Sequence, residues 1–240
     1  MPEPIPDMSL SAIAQALRDG SLSAVELTQS CIDSHDTSLN AYREWTPDLA
    51  LEQAHAADAA FANAQDSGSL QGIPISVKDL YGVNDTQTFD GSPAPMPPPW
   101  QAEGDLIKGL RTQLAVFSGK THTVEFAFGG LGVNSHWGTP RNPWDANTHR
   151  VPGGSSSGAG VSLCEGSALV ALGSDTAGSV RIPASVTGNV GLKTSYGRWP
   201  VSGIFPLSPT LDTAGVLTRS VADAVTAFSA MDPHQRSYGP

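Results

Sequence analysis

Between residues 129 and 160 the sequence offers a helix or a strand almost nothing to build on. The stretch reads GGLGVNSHWGTPRNPWDANTHRVPGGSSSGAG, dominated by Gly, Asn, Ser, Thr and Pro. Such residues mark turns and loops. A segment of that length without regular structure is uncommon inside a compact domain unless it carries function. The chain around it has 240 residues, enough for one large domain or two small ones. At 39% hydrophobic residues it can build a core. Only 15% are charged, below the usual quarter, and Ser, Thr, Gly and Pro fill the gap.

The flanking segments carry clear periodicity. Leu10, Ile13, Ala14 and Leu17 form a helical stripe over residues 8–19, ended by Gly20. Ser23 followed by Glu26 reads as a capping box, with Leu22 and Leu27 placed for a hydrophobic staple and Val25, Cys31 and Ile32 inward. Residues 47–65, with Leu49, Leu51, Ala54, Ala57 and Phe61, predict a third helix after Pro47. These helices, residues 1–66, read as outer packing, with His35 and His55 facing solvent. The texture changes at Gly72, where a core of residues 70–220 begins. GIPISVK (72–78) reads as a strand ending in Lys78, and SPAPMPPPW (92–100) as a stiff loop. A helix over 103–113 and a strand over 114–121 follow, and strand, helix, strand suggests a parallel crossover. Beyond the irregular stretch come a small-residue helix near 156–165, a strand over 168–173, a short helix after Pro183 and a helix over 220–231 with Val221, Ala224, Val225 and Phe228. The expected fold class is α/β.

Three residues carry candidate chemistry. Ser179 ends the small-residue turn DTAGS, whose backbone N–H groups are free to point one way, the requirement of an oxyanion hole. The same residues also fit a plain tight turn capped by Asp175. Lys78 ends an apolar strand, where burial lowers the pKa of an amine and makes it a general base. It also fits a strand-end lysine that reaches water, and the adjacent Asp79 argues for a charged, paired one. Ser155 follows Gly153 and Gly154, and alone reads as part of a flexible loop.

Other chemistries fit poorly. GSSSG (154–158) matches a G-x-S-x-G elbow centred on Ser156, and Asp175 or Asp212 with His234 completes the order of an α/β-hydrolase. The elbow needs a buried strand before it, and DANTHRVP (145–152) is polar and ends in Pro. The Gly-rich stretch lacks the G-K-[ST] ending of a phosphate loop. His122, His136 and His149 have no spacing that holds a metal, so neither metal nor cofactor is expected. Cys31 and Cys164 read as reduced and structural. A formal charge of −10 disfavours nucleic acid and acidic membranes as partners of this chain alone. MPEPIPDMSL has neither the basic start nor the apolar run of a signal peptide, so a cytoplasmic location is expected.

Taken together, the segments resemble the amidase signature family. GGSSSGAGVSLCEGSALVALGSDTAGSVRIP (153–183) is similar to its Gly/Ser-rich signature without a gap, with Ser155 and Ser179 at the family's separation. GIPISVKDLYGV (72–83) is similar to the lysine strand, and EFAFGGLGVNSHWGTPRNPWD (125–145) to the segment before the signature. NVGLKTSYGRWPVSG (189–203) and LDTAGVLTRSVAD (211–223) resemble the stretches after it. The resemblance implies an α/β/α layered fold with a mixed, mainly parallel sheet, of which this chain is the N-terminal portion. It implies a Ser–cis-Ser–Lys triad: Ser179 as nucleophile, Ser155 as relay behind a cis bond from Gly154, and Lys78 as base. Backbone N–H groups of Thr176, Ala177, Gly178 and Ser179 would form the oxyanion hole. Ser156, Asp175 and Arg181 would support it, and Phe126, Phe128, Gly129 and Gly130 would meet a small-molecule amide, with Phe126, Phe128 and Trp137 hinting at an apolar acyl group.

The chain departs from the family at Ser157 and Ala177, where Gly is common, in the Pro-rich loop, and in length. Family members are roughly twice as long. A fragment, or a short member completed by a homodimer or a second chain, is therefore expected. The rival readings are a glutamine amidotransferase subunit that works with partners, an esterase acting through Ser156, and a non-catalytic fragment.

Overall fold

In the computed structural model, which describes residues 8–233, six strands form one mixed sheet in the order β1-β3-β2-β4-β6-β5. The strands are β1 (Tyr42–Trp45), β2 (Pro74–Lys78), β3 (Val116–Thr121), β4 (Val170–Asp175), β5 (Val190–Lys193) and β6 (Thr213–Thr218). β2 pairs in parallel with β3 and β4, while β1 and β6 run against their neighbours. Parallel pairing is thus confined to the centre of the sheet. The crossover between β2 and β3 runs through α4 (Asp105–Thr112), as the strand, helix, strand order predicts.

Local signals set the helix ends. Ser9 caps α1 (Leu10–Asp19) and Gly20 closes it with φ 74°. The capping box at Ser23 and Glu26 opens α2 (Ala24–Asp33) with both reciprocal bonds made. Pro47 starts α3 (Pro47–Ala62). α5 (Ser157–Glu165), α6 (Arg181–Thr187) and α7 (Val221–Met231) complete the chain.

Not every apolar residue of these helices faces the core. α3 buries Ala50, Ala54, Ala57 and Ala60, because small residues let the helix lie close to β3. α2 buries Ala24, Leu27, Thr28 and Cys31, leaving Val25 and Ile32 half-buried. α7 turns Ala224, Ala227 and Met231 inward, and Val221 and Val225 outward at 68% and 60% exposure. Its phase follows Asp223, which is buried and accepts the Leu10 N–H at 2.7 Å. α6 begins at Arg181, so Pro183 lies inside its first turn, where no N–H is required. His35 is not solvent-facing: it bonds Glu165 at 3.0 Å and packs against Tyr42 and Trp45.

The two faces of the sheet have different chemistry. One face joins Val77, Val170, Leu172, Ala214 and Val216 to the apolar sides of α1, α2, α3, α4 and α7 in the main core. The other carries Ala171 and Leu217, packed on Ala159 and Leu163 of α5 and on Ala184 of α6. Side chains alternate along a strand. Ser76 meets Ser162 of α5 at 2.9 Å, so Lys78, two residues on, faces the same helix.

α5 approaches the sheet closely at Gly158, whose N–H donates to the His122 carbonyl at 2.9 Å. A Cβ there would lie 2.0 Å from the Ala41 carbonyl oxygen. Backbone on both sides leaves nothing to rotate away. Gly158→Ala is expected to destabilise the fold by about 3 kcal/mol through overpacking. A urea midpoint equal to that of the parent chain would refute this close-approach account.

Candidate active site

Lys78 is fully buried, and its Nζ donates to Ser155 Oγ at 2.7 Å and to Ser174 Oγ at 2.9 Å. Burial pushes the amine down to about 7, against the opposing pull of Asp90, Asp175 and Asp212. The adjacent Asp79 does not pair with it. That carboxylate forms ion pairs with Arg43 at 2.6 Å and Lys120 at 3.2 Å, so its charge is committed elsewhere.

Ser155 is held from three sides. The peptide bond between Gly154 and Ser155 is cis. The Gly154 N–H donates to the Gly130 carbonyl at 2.8 Å, and the Ser155 carbonyl accepts the Val124 N–H at 3.1 Å. Gly153 has φ 77°, and a Cβ on it would strike Val186 and Pro183, so this turn requires glycine. The irregular stretch is therefore a built loop whose bonds reach back to residues 122–132.

Ser179 lies beside this loop, with 9% exposure. The Ser156 N–H donates to the Ser179 carbonyl at 3.2 Å, tying the two serine segments together. Ser156 Oγ points to the Ser174 carbonyl at 3.4 Å, back into the fold and away from an elbow position. Among the described residues no direct bond joins the Ser155 and Ser179 hydroxyls. His234, the third member of the hydrolase order, lies outside the described residues.

The turn before Ser179 is organised by Asp175. Its carboxylate accepts the N–H of Gly178 at 2.8 Å and of Val180 at 3.1 Å, and holds Arg181 at 2.9 and 3.0 Å. The Gly178 N–H is thus occupied. This leaves Thr176, Ala177 and Ser179 with N–H groups that meet no acceptor among the described residues. Ala177 keeps a negative φ while Gly178 takes 125°, so the alanine fits where it stands. Thr176 is braced by Asp212, whose Oδ1 accepts its hydroxyl at 2.5 Å. A hollow of about 360 Å³ opens beside the turn, lined by Ala177, Gly178, Arg181, Ile182, Ser185 and Val186.

The expected substrate-side residues divide. Phe126 and Phe128 are 43% and 78% exposed, and Gly129 and Gly130 are exposed with them. Trp137 instead donates to the Ser92 carbonyl at 2.7 Å and packs on Phe89, so it fixes the Pro-rich loop. That loop is pinned rather than free: the Gln101 side chain donates to the Met96 carbonyl at 2.7 Å and the Thr88 carbonyl at 3.1 Å. Ser174 and Asp90 do not emerge from the sequence. Ser174, one residue before the end of β4, is brought to Lys78 by the pairing of β4 with β2, which no local pattern announces.

Among the described residues no helix is long and apolar enough to cross a membrane. Comparison with known proteins matches the amidase family over residues 23–238. A 2-amino-5-chloromuconic acid deaminase of Comamonas testosteroni is 59% identical over 228 residues, covering 94% of this chain and 49% of that protein. The A-type subunit of the glutamyl-tRNA(Gln) amidotransferase of Cereibacter sphaeroides is 38% identical, covering 95% of this chain and 47% of its own length. The native peptide amidase of Stenotrophomonas maltophilia superposes with a TM-score of 0.86 at 30% identity, over 97% of this chain and 50% of that one. This chain spans about half the length of the curated relatives it matches. On the match of residues 23–238, with these relatives and this fold, the chain belongs to the amidase family.

Proposed function

We propose that this chain carries the catalytic centre of a serine amidase that hydrolyses a carbon–nitrogen bond through an acyl-enzyme. One observation supports this above the others: a fully buried lysine, pushed down to about 7, donates to the hydroxyl of Ser155 at 2.7 Å. A lone serine is a weak nucleophile and needs a base. Neutral Lys78 takes the Ser155 proton as Ser155 takes the Ser179 proton. Ser179 Oγ then bonds to the carbonyl carbon, and the oxyanion forms beside the open N–H groups of Thr176, Ala177 and Ser179. The proton returns along the same path to the leaving nitrogen, and the C–N bond breaks. Water repeats the sequence to release the acid. The 59% relative's name makes ammonia release from a small amino-substituted acid the first substrate class to assay.

The test is a serine-directed fluorophosphonate with peptide mapping. The adduct is expected on the peptide that contains Ser179. An adduct on Ser156, or none at all on folded protein, overturns the assignment.

A further inference from the structure

Arg181 and Asp175 pair across a steep change in exposure. The carboxylate side is fully buried, and the guanidinium side is more than half exposed. A guanidinium carries five N–H donors in a fixed fork. Asp175 takes one from Nε at 3.0 Å and one from Nη2 at 2.9 Å. Both donors on Nη1 and the second on Nη2 meet no acceptor among the described residues. Asp175 also accepts the N–H groups of Gly178 and Val180, so its charge is shared inward with the main chain. The pair is saturated on its buried side and open on its outer side.

Arg181 lines the hollow beside the turn that holds Ala177 and Gly178, and the other lining residues carry no charge. Those from α6 sort by helical spacing. Arg181 and Ser185 stand four apart, as do Ile182 and Val186, so each pair lies along one stripe of the helix. Ser185 is exposed, and its hydroxyl meets no partner among the described residues. Ile182 and Val186 are exposed aliphatics that reach both serine loops. A Cβ on Gly178 would lie 2.9 Å from Ile182 Cδ1, and one on Gly153 would lie 2.5 Å from Val186 Cγ2. Gly178 directly precedes Ser179, and Gly153 stands two residues before Ser155. A ligand seated here meets a cation and a hydroxyl on one stripe, two aliphatic side chains on the other, and the turn of the nucleophile at its edge.

We propose that Arg181 is a specificity residue that binds a carboxylate of the substrate, so that the preferred amide is the monoamide of a small dicarboxylic acid. This rests on Ser179 being the nucleophile. Nη1 and Nη2 offer parallel donors to the two carboxylate oxygens, a fork that a lysine cannot reproduce. Ser185 adds an O–H donor. The carbon chain lies over Ile182 and Val186, while the amide carbonyl reaches the open N–H groups of Ala177 and Ser179. A formal charge of −10 on the chain repels anions at long range, so an acidic substrate needs a local cation of this kind.

The test is a matched pair of short alkyl fluorophosphonates, one ending in a carboxylate and the other in its methyl ester. Second-order labelling rates at Ser179 are compared for the parent chain, Arg181→Met and Arg181→Lys. The parent chain is expected to favour the carboxylate probe by about tenfold, the worth of one charge-assisted hydrogen bond. Arg181→Met should label with both probes at one lower rate, because the bracing of Asp175 is lost for both alike. Arg181→Lys should keep a smaller preference. A purely bracing role predicts equal losses with the two probes. A preference that survives in Arg181→Met therefore overturns the proposal, and so does a parent chain without one. A second readout needs no variant to fold. Glutarate is expected to slow labelling of the parent chain by the ester probe, and glutaramide to leave it unchanged; equal effects also overturn the proposal. Absence of labelling by either probe on folded parent protein sinks the serine assignment itself. Labelling of Ser179 without preference sinks only the role of Arg181.

Discussion

Lys78→Met is expected to slow acylation of Ser179 by roughly three orders of magnitude while leaving the fold intact. The side chain is fully buried with its Nζ on two serine hydroxyls, and Met fills similar space without a charge to desolvate. The thermal midpoint should hold or rise. The pH behaviour separates loss of a base from loss of shape. Lys78 is pushed down to about 7, first by burial, with three carboxyls pulling against it. Its ammonium form cannot accept a proton, so the parent rate rises as pH passes through about 7 and then levels. In the Met variant that rise disappears. Phosphonate labelling rates from about pH 5 to about pH 9 give both results. A variant within tenfold of the parent at all pH values, or a flat parent profile, removes Lys78 from the mechanism.

The fold is legible where a local pattern carries the information. Ser23 and Glu26 announce a helix start by chemistry confined to one turn, and Gly20 announces an end. Lys78 after Ile73, Ile75 and Val77 announces a buried strand end. The strands β1, β5 and β6 carry no such signal. YREW and VGLK are four residues long and half-buried for the most part, and TAGVLT is rich in small residues. Their pairing is a property of the sheet, and no period marks it in the chain. His35 shows the same limit: a histidine on a polar helix end becomes buried only because Glu165, 130 residues away, returns to meet it.

The candidate site divides along that line too. Ser155, Ser179 and Lys78 stand out because small residues and an apolar strand surround them in sequence. Ser174 reaches Lys78 only because β4 comes to lie beside β2, and a loop folds Asp90 back onto the Asp79 carbonyl. In sequence the turn before Ser179 offers four equivalent donors. Asp175 makes them unequal by taking the Gly178 N–H for itself.

That inequality leads to the second large effect. Asp175→Ala is expected to cut the acylation rate by about two to three orders of magnitude, the range for losing an oxyanion donor, because it frees the whole turn. Asp175 is fully buried, whereas the Arg181 side chain is 54% exposed. Water screens the ion pair, so its contribution is small. The larger cost falls on the N–H groups of Gly178 and Val180, left without an acceptor. At about 1–3 kcal/mol for each buried donor, a loss of about 3 kcal/mol in stability follows. The pH dependence has a fixed sign. Burial alone raises the Asp175 carboxyl, but Arg181 and the two N–H donors more than reverse this and hold it below the usual carboxylate range. A depressed carboxyl contributes stability at neutral pH that is lost as pH falls through its folded value. Denaturant melts below about pH 4 should therefore show the gap between parent and variant closing. Asp175→Asn retains one acceptor oxygen and turns an N–H₂ toward another donor, so it should fall between the two. An Asp175→Ala protein that labels within threefold of the parent would show that the turn holds its donors without this carboxylate, and the oxyanion assignment at Thr176, Ala177 and Ser179 would lose its structural basis.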